Sequence, residues 1–226
     1  MKYRDRILEY FDNIADGTVV VVNDLYDKGF EKMGQTAFFR AVERLASDGE
    51  IIRVGKGLYI KKSDADNNRT ELLLNYFFGE DNSRGMFTGM HLYNKYSLTR
   101  TKSDNIELMS VMCKGSTCHI DNIIVRRPGV ELNFENTRVI EALEILQNYG
   151  AIPQLDKNKF ARYAKQYARG YNDESAVEVL NNMKYKKRTI AFMKKILDMY
   201  KVPNTLSQFL SNASDYKIPT FYKLAR

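Results

Sequence analysis

Apolar residues Ile7, Leu8, Phe11 and Ile14 recur at helical spacing, with Arg4, Arg6, Glu9 and Asp12 between them. That period describes one amphipathic helix, stopped at Asp16-Gly17. The β-branched run Thr18 to Val22 favours a short strand, after which Asn23 can cap a short helix through Leu25 and Tyr26 that ends at Gly29. After Gly34, the stretch QTAFFRAVERLASDG places Phe38, Ala41, Val42 and Leu45 on one face of a third helix, closed by Asp48-Gly49. EIIRV and LYIKK are then two β-rich runs joined by Gly55-Lys56-Gly57, which predicts a hairpin. The polar stretch SDADNNRT, 63–70, reads as a linker.

Beyond it, Thr70 to Phe78 is a helix closed by Gly79, and MFTGMHLYNKYSLT suggests a short helix and loop. IELMSVMCK, STCHIDNIIVRRP and VELNF read as strands of a small sheet. Asn136 to Gln147, Asp156 to Arg169, Asp173 to Met183, Lys186 to Tyr200 and Thr205 to Asn212 read as consecutive helices. The expected fold is α+β: an N-terminal winged helix-turn-helix over 1–62, then over 70–226 a small mixed sheet packed with a C-terminal helical bundle.

In a winged helix the third helix enters a major groove and the hairpin touches the flanking backbone. Gln35, Thr36, Phe39, Arg40 and Arg44 lie outside the apolar face of that helix, and Gln, Thr and Arg are types that bond base edges or phosphates. Arg53, Lys56, Lys61 and Lys62 add phosphate-binding charge on the hairpin. These residues make double-stranded DNA the expected partner; the alternative is a module that docks on a partner protein without reading DNA.

Composition narrows the picture further. At 226 residues the chain holds one or two domains, and with 44% apolar residues and no apolar run near the ~18 that cross a bilayer it reads as soluble, with no membrane partner. The start, MKYRDRILEY, lacks the unbroken apolar stretch of a signal peptide, so a cytoplasmic protein is expected. Cys113 and Cys118 are too few for a disulfide framework. The net charge of +7 is uneven: residues 1–62 carry 11 Lys/Arg against 10 Asp/Glu, residues 63–156 carry 9 against 13, and residues 157–226 carry 15 against 5. A field acts where charge is concentrated, which marks Lys184, Lys186, Lys187, Arg188, Lys194, Lys195 and Lys201 as a second candidate surface.

The run Gly49 to Tyr59, with Gly49, Ile51, Arg53, Lys56, Gly57 and Tyr59 in place, resembles the wing of the AbiEi-type antitoxins. Thr88, Gly89, Leu92, Leu98 and Thr99 are similar to the phrase that follows that wing, and so is the strand Ile123 to Arg127 that ends in two arginines. The likeness is strong at the wing and reaches about residue 150; it departs at His91-Leu92, where the family often carries alanine. It implies a transcriptional autorepressor of a type IV toxin–antitoxin or phage-defence system, bound to inverted repeats of its own promoter. The same likeness implies a nucleotidyltransferase toxin as functional partner, with no stable complex required, and an antitoxic or partner surface on the basic C-terminal block.

Catalytic patterns are thin. Gly115-Ser116 before Asp121 lacks the second carboxylate that a nucleotidyltransferase needs for its metal, and Asp104 with Glu107 does not complete a nuclease set. Cys113, Cys118 and His119 lack zinc-knuckle spacing, and Gly55-x-Gly57 lies in a hairpin rather than at a strand-to-helix phosphate turn. No enzyme, metal or cofactor is expected.

Overall fold

The computed structural model describes residues 3–211 and 215–222. It is a mixed α+β fold with nine α-helices and two small sheets among those residues, divided into two compact units at Glu80/Asp81.

In the first unit the order is α1 (Tyr3–Asn13), β1 (Val20–Val21), α2 (Val22–Gly29), α3 (Gln35–Ser47), β2 (Ile51–Gly55), β3 (Leu58–Lys61) and α4 (Arg69–Phe78). The sheet runs β1-β3-β2, all antiparallel, with Val20 opposite Tyr59 and Ile52 opposite Ile60. Ile7 and Phe11 of α1, Leu25 of α2, Phe38, Val42 and Leu45 of α3, and Ile51 and Tyr59 of the sheet share one core. The β2–β3 turn places Gly57 at φ +72°, a conformation that favours glycine, and its carbonyl accepts the N–H of Val22 at 3.0 Å.

One expectation is corrected here. The strand predicted over Thr18 to Val22 shrinks to Val20–Val21, because Val22 opens α2 as its first residue. Asn23 therefore lies inside the helix, and Val21 at the N-cap supplies no side-chain acceptor. The stretch 63–70 is also not a free linker. Asp64 is buried and accepts from the backbone N–H of Gly17 at 2.9 Å and from Asn67 Nδ2 at 3.1 Å, while Asn68 caps α4. Arg69 then donates two hydrogen bonds to the carbonyl of Val54.

The second unit holds β4 (Gly85–Phe87), α5 (Gly89–Lys95), β5 (Ile106–Ser110), β6 (Thr117–Ile120), β7 (Ile123–Arg126), α6 (Phe134–Asn148), α7 (Lys157–Arg169), α8 (Asp173–Asn182) and α9 (Lys187–Met199). Its sheet order is β4-β5-β7-β6, with β5 and β7 parallel and the other pairs antiparallel. Helix α6 packs against α5, α8 and α9, and its residues 139–146 are buried throughout. VELNF is not a strand: Asn133 accepts from the backbone N–H of Asn136 at 2.8 Å and starts α6 at Phe134. Asn caps outcompete β propensity here by satisfying a first-turn N–H. Of the helix expected over Thr205 to Asn212, only a 3-10 turn at Leu206–Phe209 forms, and Asn212 lies outside the described residues.

Gly89 opens α5 at φ +56°, and a side chain there would meet a Glu107 carboxylate oxygen at 2.6 Å. Gly89 therefore has both a steric and a conformational reason to be glycine.

Candidate nucleic-acid interface

Helix α3 sorts its residues by face. Phe38, Val42 and Leu45 are buried, and the helix period then leaves Gln35, Thr36, Arg40 and Arg44 exposed. Phe39 differs from these four. It is half-buried, with its ring 6.1 Å from Tyr26 and edge-on to Phe38 at 5.5 Å, so it braces the helix against α2.

On the hairpin, Lys56 sits exposed at the tip, and Arg53 is exposed with its Nε donating to the carbonyl of Gly55 at 3.3 Å. Lys62 is exposed and 3.7 Å from Glu50, a separation at which an exposed pair contributes little. Lys61 is committed elsewhere: its ammonium donates to the carbonyl of Ile14 at 3.0 Å and pairs with Asp16. The hydrogen bond to the Asp16 carboxylate raises the Lys61 pKa, so its charge is fixed in the fold rather than offered outward. Of the nine residues expected to face a partner, Gln35, Thr36, Arg40, Arg44, Arg53, Lys56 and Lys62 are exposed.

The basic C-terminal block divides in two. Lys184, Lys186, Lys187 and Arg188 are exposed at the start of α9. Lys194 is held by Asp198 at 2.7 Å along the same helix, while Lys195 and Lys201 are exposed.

Sequence periodicity missed two buried carboxylates on α6. Glu141 is 2% exposed and accepts from Lys95 Nζ at 2.6 Å and from the Tyr96 hydroxyl; Glu144 is 4% exposed and accepts from Arg126 at 2.7 Å and from the Tyr185 hydroxyl at 3.2 Å. Their signal in the sequence was a helix apolar on every side, where any charge must lie inside. A cavity of about 700 Å³ opens beside Glu141, walled by Tyr96, Phe134, Arg138 and Tyr163. Its cations Lys95 and Arg138 are matched by Glu141 and Asp81 in the same wall, so it presents no net field.

The arginine pair that ends β7 is turned to structure. Arg126 holds Glu144, and Arg127 donates to the carbonyls of Cys113 at 2.8 Å and Val111 at 3.3 Å. Cys113 is buried with its thiol directed at the Gly115 carbonyl, and burial together with the neighbouring Cys113 thiol pushes the Cys118 thiol upward, away from a reactive thiolate.

No family model and no curated protein matches the sequence. Among solved structures, the crystal structure of the RV2827C protein from Mycobacterium tuberculosis is similar, with a TM-score of 0.41 and 12% identity over 88% of this chain and 77% of that one.

Proposed function

We propose that residues 3–62 act as a winged helix-turn-helix that binds double-stranded DNA, α3 reading the major groove and the β2–β3 hairpin resting on the backbone. The observation that carries this reading is the division of α3: Phe38, Val42 and Leu45 anchor it, while Gln35, Thr36, Arg40 and Arg44 stand free on the outside. Groove reading needs such a rigidly held helix with bonding side chains outward. Arg53 and Lys56 supply hairpin charge for phosphates. Lys61 is left out of the interface, and Phe39 supports it from behind.

The resemblance of Gly49 to Tyr59 to the wing of the AbiEi-type antitoxins extends the reading to an autorepressor of its own promoter. On that likeness the chain serves as antitoxin against a nucleotidyltransferase toxin, with its exposed lysines on the second unit as the partner surface.

The test is an anisotropy titration against the upstream DNA and against scrambled DNA at two salt concentrations. Specific binding tighter than scrambled by ~10³ or more is expected. Arg40→Ala with Arg44→Ala should remove about 1–3 kcal/mol per lost base contact and flatten the salt slope for lost phosphate contacts. Equal and weak binding to both DNAs, or a double variant indistinguishable from the parent, overturns the reading and makes the module a protein dock.

A further inference from the structure

The four cations at the start of α9 sit where a helix least favours them. The helix macrodipole is positive at its N-terminus, yet Lys186 occupies the N-cap, without a side-chain cap bond, and Lys187 and Arg188 follow as the first two helical residues. Helix geometry leaves the N–H groups of Lys187 and Arg188 without intrahelical acceptors. Positive charge stacked on a positive helix end calls for an anion.

A cavity of about 140 Å³ lies at this point, and its wall includes Gln147, Tyr149, Arg188, Thr189, Phe192 and Lys217. That is several times the ~30 Å³ a liquid water occupies. Two hydroxyls in the wall are unsatisfied: Thr189 is 2% exposed and Tyr149 8% exposed, and neither oxygen has a hydrogen-bond partner among the described residues. Buried hydroxyls are normally paired, so two orphans lining one cavity mark a missing partner. Among the described residues no carboxylate is in the wall. Arg188 and Lys217 therefore meet no opposing charge from the described lining, and both hydroxyls can donate to whatever enters. Gln147 is already engaged, accepting from the N–H of Lys186 at 3.3 Å.

We propose that this cavity binds a single phosphoryl group, held by the guanidinium and the first-turn N–H of Arg188, by Lys217 and by the hydroxyls of Thr189 and Tyr149. A tetrahedral oxyanion offers several acceptor oxygens to convergent donors, and helix N-termini bind such groups. The inference is independent of DNA reading by α3. Its ligand is either free phosphate or a phosphate monoester, and the two share the chemistry that the site recognises.

Calorimetric titration of the full chain with inorganic phosphate, with adenosine monophosphate, and with chloride at matched ionic strength tests it. Saturable one-to-one phosphate binding at about 1 mM or tighter is expected. Adenosine monophosphate binding more tightly than phosphate assigns the site to a monoester, and equal affinity assigns it to the phosphoryl group alone. Arg188→Gln should weaken binding at least about tenfold, as befits a charge-assisted contact. Thr189→Val should weaken it about threefold to tenfold while leaving the melting temperature unchanged or higher in phosphate-free buffer, because the hydroxyl loses no bond there. Lys195→Gln, and Arg40→Ala with Arg44→Ala, should leave phosphate binding intact. Heats reproduced by chloride, or undiminished phosphate affinity in both Arg188→Gln and Thr189→Val, overturn the proposal.

Discussion

Asp64 shows how one polar residue organises a turn. Its carboxylate joins Gly17, which follows α1, to the segment leading into α4, through the N–H of Gly17 and the amide of Asn67. A sequence reading sees only a polar SDADNN stretch, since nothing local says that a residue 47 positions earlier needs an acceptor. Removing a buried acceptor leaves its donor unpaired, at a cost of about 1–3 kcal/mol. Asp64→Ala is therefore expected to lower the unfolding free energy measured by urea denaturation by that amount. Asp64→Asn, which keeps one acceptor oxygen, should recover part of it. Equal stability of Asp64→Ala and the parent would show that the Gly17 N–H is satisfied by solvent.

Among elements, the buried stripe of α3 was legible, with Phe39 misplaced on its outer face, and the sheet around β1 was not. Phe38, Val42 and Leu45 recur at i, i+4 and i+7, so the sequence alone identifies the buried stripe and, by subtraction, the exposed Gln35, Thr36, Arg40 and Arg44. Gly55-Lys56-Gly57 likewise announces its hairpin, because Gly57 must take a positive φ. The failures differ in cause: some were decided locally and others by a distant partner. The strand stops early because α2 starts at Val22, and VELNF becomes a helix start because its own Asn133 caps α6. The partners of Glu141 and Glu144 were beyond local reading, since Lys95 and Arg126, brought in from α5 and β7, make their burial tolerable. The face assignment of α3 gives a sharp expectation. Phe38→Ala should destabilise the protein by about 3–5 kcal/mol through the cavity it leaves. Arg44→Ala should stay within about 0.5 kcal/mol, as exposed substitutions do. Chemical denaturation of both variants checks this, and a large loss in Arg44→Ala would show that the outer face is occupied by the protein itself.

For the molecule as a whole, the titration behaviour is set by tyrosines. Burial raises the pKa of Tyr163 and Tyr167 well above the usual phenol value. Burial likewise raises Tyr96 beside Glu141, Tyr171 beside Asp173 and Tyr185 beside Glu144, with the adjoining carboxylate adding to each, and pushes Tyr93 up to about 12. A phenol in the unfolded chain loses its proton near ~10. Below that pH both states hold the proton and these tyrosines leave stability independent of pH. Above it the unfolded chain binds fewer protons than the native one, so stability falls as pH rises toward the native pKa values. Lys61, whose pKa is raised by Asp16, acts in the same direction: its contribution is present below the unfolded lysine value and is lost as pH climbs through the folded one. For these two buried phenols alone, Tyr163 and Tyr167, at about 1.4 kcal/mol per pH unit each, the slope above pH ~10 is roughly 2–3 kcal/mol per pH unit. A domain with ~5–15 kcal/mol to lose is thereby brought to unfolding within a few pH units. Tyrosinate absorbance and far-ultraviolet circular dichroism, followed together from pH 8 to 12, should show the last phenols ionising in the same step that loses helix. Smooth ionisation of all fifteen tyrosines near pH 10, with the helix signal intact, would show that the bundle's interior admits water and that its aromatic core is not closed.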